Sequence, residues 1–144
     1  MDARTVFAQG RTLLDPVLAS HGFTFDEGKA AERSTAVIAR GAYVRDDRRL
    51  ELGYRHGALD VVVYQVGDRV ITHDAYMTAV LGPVGSNMFP ALAGDPLDGF
   101  RYLAHDLRNY AHVFLAGPSM HFAHIADRAA AVTDSDGKTT LYRR

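Results

Sequence analysis

Seven histidines and no cysteine stand among the 144 residues of this chain. Histidine changes charge close to neutral pH, and each ring nitrogen can donate, accept or bind a metal. The lack of cysteine excludes a thiol nucleophile, a thiolate metal site and a disulfide framework. His73-Asp74 and His105-Asp106 look like acid–base pairs as text. Neighbours in sequence do not face each other on a helix or a strand, so adjacency carries no catalytic meaning. His73 matters for another reason: it stands where Val70-Ile71-Thr72 gives way to Asp74-Ala75-Tyr76-Met77. At such a junction its ring N–H can bond a carbonyl or carboxylate and lock the connection. His73 is therefore expected to be at least half buried and hydrogen-bonded. A pocket between sheet and helices would instead make His73, Tyr76 and His56 its lining, with histidine as the titrating group and tyrosine as the orienting donor.

His105 and His112 lie seven residues apart beside Arg101 and Arg108. On one continuous helix these four share a face opposite the apolar stripe, either as an anion-binding strip or as a solvated face. His121 and His124, three apart, could supply two metal ligands, but no carboxylate stands at zincin spacing. No metal and no cofactor is expected. Gly82-Pro83-Val84-Gly85-Ser86 lacks the Gly-Lys-Ser/Thr ending of a phosphate loop, and Ser86 lacks a nucleophile elbow. Arg49, Glu51 and Arg55 alternate onto the wet face of a strand, with Asp60 as a cross-strand partner. They form either an ion-pair ladder worth about 0–1 kcal/mol per pair or a charged recognition face with arginine anchors.

The elements that must position these residues are organised around 48–67. Leu50, Leu52 and Tyr54 alternate with Arg49, Glu51 and Gly53, and a Val-rich run follows a Gly-containing turn. This reads as a hairpin with one dry face. A short strand at 23–25, a strand at 35–45 and another starting at Val70 extend it into an antiparallel meander. Residues 3–20 read as an amphipathic helix ended by Gly22, with Pro16 bending it or restarting it from Asp15. One or two helical turns follow at 74–81, then a Gly/Pro loop at 82–94, a candidate gate. Asp95 is the expected N-cap of a helix that starts at Pro96, carries Asp98 at its third position and runs to Gly117. Ser119 caps a last helix, and the polar tail from 133 is expected to fray. The fold class is α+β: a single domain over 1–144, with a four- to five-stranded antiparallel sheet. An N-terminal helix and two C-terminal helices cover one face.

Apolar residues make up 47% and charged residues 23%, as in folded globular chains, and the net charge is -1. Without a basic excess, no nucleic-acid partner is expected. No apolar run spans a bilayer and no secretory leader is legible, so a cytoplasmic location and no membrane partner are expected.

The Arg49-Leu50-Glu51-Leu52…Arg55 strand and His73-Asp74-Ala75-Tyr76-Met77 resemble a family of small, uncharacterised bacterial proteins. So do Gly22-Phe23 and Asp95-Pro96 with Phe100, Leu103, Asp106 and Leu107. The resemblance spans residues 10–117 and implies the fold; that family has no established activity. In size and layout the chain is also similar to immunity proteins of bacterial toxin systems, though its near-neutral charge departs from their frequent acidity. The expected function is a non-enzymatic binding module for a protein partner. The alternative is a small enzyme or ligand-binding protein with the His/Tyr pocket gated by 82–94.

Overall fold

A computed structural model describes residues 3–27, 39–55, 57–81 and 95–135, with side chains through 130. The expectations for His56, the 82–94 gate and the tail beyond 135 lie outside the described residues.

The chain opens with helix α1, Ala3–Ala19, which buries Val6, Phe7, Gly10, Leu14, Val17 and Leu18. Pro16 lies inside this helix, which neither restarts nor takes Asp15 as a cap. The Asp15 carboxylate instead accepts the Tyr43 hydroxyl. Gly22, at φ 86°, occupies the left-handed region. Its N–H bonds Ala19 O (2.9 Å) while Phe23 N–H bonds Leu18 O (3.1 Å), the paired bonds of a glycine-terminated helix.

Five strands follow: β1 Thr24–Asp26, β2 Ala39–Arg45, β3 Arg48–Arg55, β4 Ala58–Val66 and β5 Arg69–Thr72. They pair antiparallel in sequence order as one meander. Period-2 alternation fixes the register. Phe25, Tyr43, Leu50, Tyr64 and Ile71 form one row across all five strands. The rows Gly41–Leu52–Val62 and Ala39–Tyr54–Leu59 continue the same face. Arg49, Glu51 and Gly53 fall on the other face, as the alternation requires. Between β3 and β4 the register shifts at Gly53/Tyr54, leaving Asp60 as the extra residue. Arg55 donates its Nε–H to that carboxylate.

The helices cover the aromatic face. Helix α2, His73–Leu81, starts where Thr72 Oγ1 accepts the Ala75 N–H at 3.1 Å. Helix α3 is Asp98–Tyr110, α4 is His112–Leu115 and α5 is Ser119–Ser135. Phe100 stacks on Tyr54, Phe114 on Tyr64, and Phe7 meets Phe25 and Phe100. A Cβ on Gly10 would stand 2.4 Å from the Phe100 ring, so a side chain there would force Phe100 to shift where α1 meets α3.

Three helix boundaries differ from the sequence reading by two residues or more. α5 continues through 135, past the start of the expected tail. α3 begins at Asp98, not Pro96: Asp95 Oδ1 accepts the Leu97 N–H at 2.8 Å and Asp95 O accepts the Asp98 N–H at 3.1 Å, so Asp95 closes a preceding turn. The long helix to Gly117 breaks at Ala111. The Tyr76 hydroxyl donates to Tyr110 O at 3.0 Å, and the Phe114 amide acts on the same hydroxyl. In an unbroken helix Phe114 N–H would bond Tyr110 O, so a side chain from α2 stands inside that ladder.

Candidate functional site

His73 is 1% exposed and Asp106 0%, inside the interface of α2, α3 and the sheet. His73 Nε2 lies 2.9 Å from Asp106 Oδ2, and Nδ1 lies 2.8 Å from the Tyr64 hydroxyl. A carboxylate only accepts, so Nε2 carries the proton and the Tyr64 O–H donates to Nδ1. Asp106 Oδ1 faces His105 Nδ1 at 3.3 Å. The expected burial and bonding of His73 are thus present; the identity of its partners was not legible.

Burial pushes the Tyr64 hydroxyl well above its ordinary pKa, helped by Tyr76 and Asp106 nearby. Burial pushes Tyr76 up to about 12, against the pull of the Phe114 and Val113 amides. Tyr64, His73, Tyr76 and Asp106 are each at most 1% exposed, so they hold elements together and present no face to a ligand.

Two arginines extend this interior polar framework. Arg48, 9% exposed, donates from Nη1 to Val113 O (3.1 Å) and Phe114 O (2.8 Å), and from Nη2 to Gly117 O. Arg45 Nη1 reaches His21 O (2.6 Å) and Leu115 O (2.8 Å). Both answer carbonyls at helix ends, where a cation is favoured.

The other residues singled out from sequence do not come together. Arg101 bonds Asp95 and Asp98, at 3.1 and 2.7 Å. His105 stays on α3 while His112 begins α4, so the proposed strip is not one helix face. Arg108 and His112 border a concavity of about 300 Å³ with Ser20 and His21. Arg49 stands 4.0 Å from Glu51, and Arg55 is engaged by Asp60. His121 and His124 are exposed on α5, and among the described residues no cluster of three or more His, Cys, Asp or Glu is placed to hold a metal.

A concavity of about 320 Å³ lies between α1 and β2, lined by Arg4, Phe7, Ala8, Arg11, Glu27, Ala39 and Arg40. Arg4 and Arg11 are seven residues apart, hence on nearly one helix face, and Phe7 and Ala8 fill the turn between them. Arg40 comes from the strand opposite. The Arg11 guanidinium lies 3.7 Å from the Phe25 ring centroid, a cation–π contact that fixes its plane. Its Nε is buried without a hydrogen-bond partner. Asp15, one turn on, is taken by Tyr43, whose hydroxyl is pushed upward by burial first and by Asp15 second, with Arg11 pulling the other way. Sequence reading missed this group: Arg4 and Arg11 carry a visible spacing, but Arg40 joins them only through the packing of β2 on α1. The chain matches no protein-family model, no curated protein and no solved structure.

Proposed function

We propose that the protein is a binding module that recognises an acidic partner protein in the groove between α1 and β2. One observation carries this reading. Arg4 and Arg11 of α1 border a concavity whose acidic lining, among the described residues, is Glu27 alone. Arginine is favoured in interface anchors because its fork matches carboxylates and its charge is weakly hydrated. The His/Tyr pocket of the enzymatic alternative finds no support in the geometry, because His73 is sealed against Tyr64 and Asp106 and Tyr76 against the Tyr110 carbonyl. An immunity role fits this reading where the toxin presents an acidic surface.

The test is calorimetric titration of the full chain with poly-L-glutamate at rising salt. Binding should weaken with salt, and Arg4→Ala/Arg11→Ala should weaken it by at least about tenfold, roughly 1.4 kcal/mol. Equal affinity in the double variant would remove the groove from consideration.

A further inference from the structure

We infer that the concavity between the end of α1 and the α3–α4 junction binds a small carboxylic acid with an apolar body, its carboxylate at Arg108 and His112 and its body against Val17, Leu107 and Leu115. This site is separate from the groove between α1 and β2 and does not depend on it.

The lining has two parts of different chemistry. Val17 of α1, Leu107 of α3 and Leu115 of α4 are buried and form an apolar wall. Ser20, His21, Arg108 and His112 bring a hydroxyl, two imidazoles and a guanidinium. Among the described residues no carboxylate lines this concavity, whereas Glu27 lines the groove between α1 and β2. An anion entering here therefore meets a cation and donors with no lining carboxylate to repel it. The volume, about 300 Å³, stands at the small end of ligand pockets and suits a body of one ring.

Arg108 and His112 are exposed, and neither side chain has a hydrogen-bond or ion-pair partner among the described residues. The break at Ala111 puts His112 on α4, yet both border this one concavity. His21 is set differently. Its Nδ1 lies 3.0 Å from Val17 O, and a carbonyl only accepts, so Nδ1 carries the proton. Ser20 Oγ donates to the same carbonyl at 2.7 Å. Nε2 of the neutral ring is then an acceptor, and it can face a carboxylate only after taking up a proton. The charged and titratable groups around that ring are Arg108 and His112 from the facing helices and Arg45 of β2, whose Nη1 holds the His21 carbonyl at 2.6 Å. An arriving carboxylate supplies the opposite charge that favours the uptake, so binding strengthens as pH falls toward the histidine range. Ordering Arg108 costs rotamer freedom, which burial of the apolar body offsets.

The experiment is a titration of the full chain, read by histidine ring resonances, with four probes: phenylacetate, acetate, benzyl alcohol and inorganic phosphate. Phenylacetate should bind at least about tenfold tighter than acetate or benzyl alcohol and should shift the His21 and His112 rings. It should bind tighter near about pH 6 than near about pH 8, and His21→Gln should reduce that difference. Arg108→Ala should weaken phenylacetate at least about tenfold, leave benzyl alcohol unchanged and leave the thermal melt unchanged. If phosphate binds tightest, the concavity is a plain anion site; if benzyl alcohol equals phenylacetate, it is only an apolar one. Either result overturns the inference, and so does a titration in which no probe moves either ring.

Discussion

Replacing His73 with alanine removes the donor that faces Asp106 and the acceptor that faces Tyr64, both fully buried. Among the described residues the carboxylate then keeps His105, at 3.3 Å, as its side-chain partner. Stripping a buried carboxylate of its main donor costs about 3 kcal/mol, the upper end for an unsatisfied buried group. Orphaning the Tyr64 hydroxyl adds about 1–3 kcal/mol, but the two losses share one site and do not simply add. A net loss of about 4 kcal/mol is expected, a large part of the roughly 5–15 kcal/mol that holds a domain of this size. With a urea m-value of about 2 kcal/mol/M, the midpoint should fall by about 2 M. His112→Ala, on the exposed start of α4, is the control and should move by less than about 0.5 kcal/mol. Asp106→Ala alone should also be costly. The double variant His73→Ala/Asp106→Ala should lose less than the sum by about 2–3 kcal/mol, because no unpaired charge is left behind. Equal midpoints for His73→Ala and His112→Ala, or strict additivity in the cycle, would refute the reasoning.

Tyr76 predicts an alkaline limit. Its folded pKa of about 12 lies above the ordinary 10.0, so its contribution is complete below pH 10 and is lost as pH rises from there through 12. Two units correspond to about 2–3 kcal/mol, and Tyr64 and Tyr43 push the same way. Urea midpoints should therefore fall with pH in that window and fall less in Tyr76→Phe; a flat profile would contradict the burial argument. Arg48→Lys keeps the charge but cannot reach Val113, Phe114 and Gly117 together, and should cost about 2–4 kcal/mol in the same melt. Arg108→Lys, exposed on α3, should be neutral within about 0.5 kcal/mol.

Periodicity carried the architecture because it is a local signal. Leu50, Leu52 and Tyr54 alternate with charged residues and glycine, and that alone sets the face of β3 and, through the ladder, the faces of its neighbours. Gly22 marked a helix end for the same reason: its bonds reach only a few residues away. The failures are tertiary. Asp106 looked like the neighbour of His105, whereas its main partner, His73, lies 33 residues earlier. The apolar stripe of Phe100, Leu103, Leu107, Tyr110 and Phe114 argues for one helix, and nothing local opposes it. The break at Ala111 needs the Tyr76 hydroxyl, delivered by α2. The start of α3 shifted because a proline after an aspartate suits a turn as well as a first helical position.

The distribution of arginines shows why the binding reading settles on α1 rather than on the other basic surface. Arg45 and Arg48 are consumed by carbonyls inside the fold. Arg55, Arg69 and Arg101 face Asp60, Asp127 and the Asp95/Asp98 pair. Arg108 has no acidic partner among the described residues and borders its own concavity with His21 and His112. It is exposed, however, and no ring or carbonyl fixes it, so a ligand there would have to order a long side chain at a cost of about 0.5–1.5 kcal/mol. Arg11 has already lost that freedom to Phe25. A cation already fixed loses less freedom on binding than a mobile one. Of the concavities bordered by Arg11 and by Arg108, the one between α1 and β2 therefore holds the better-fixed cation, while a third, of about 650 Å³ beside Arg45, Arg48 and Arg49, carries Asp46 and Asp47 in its own lining.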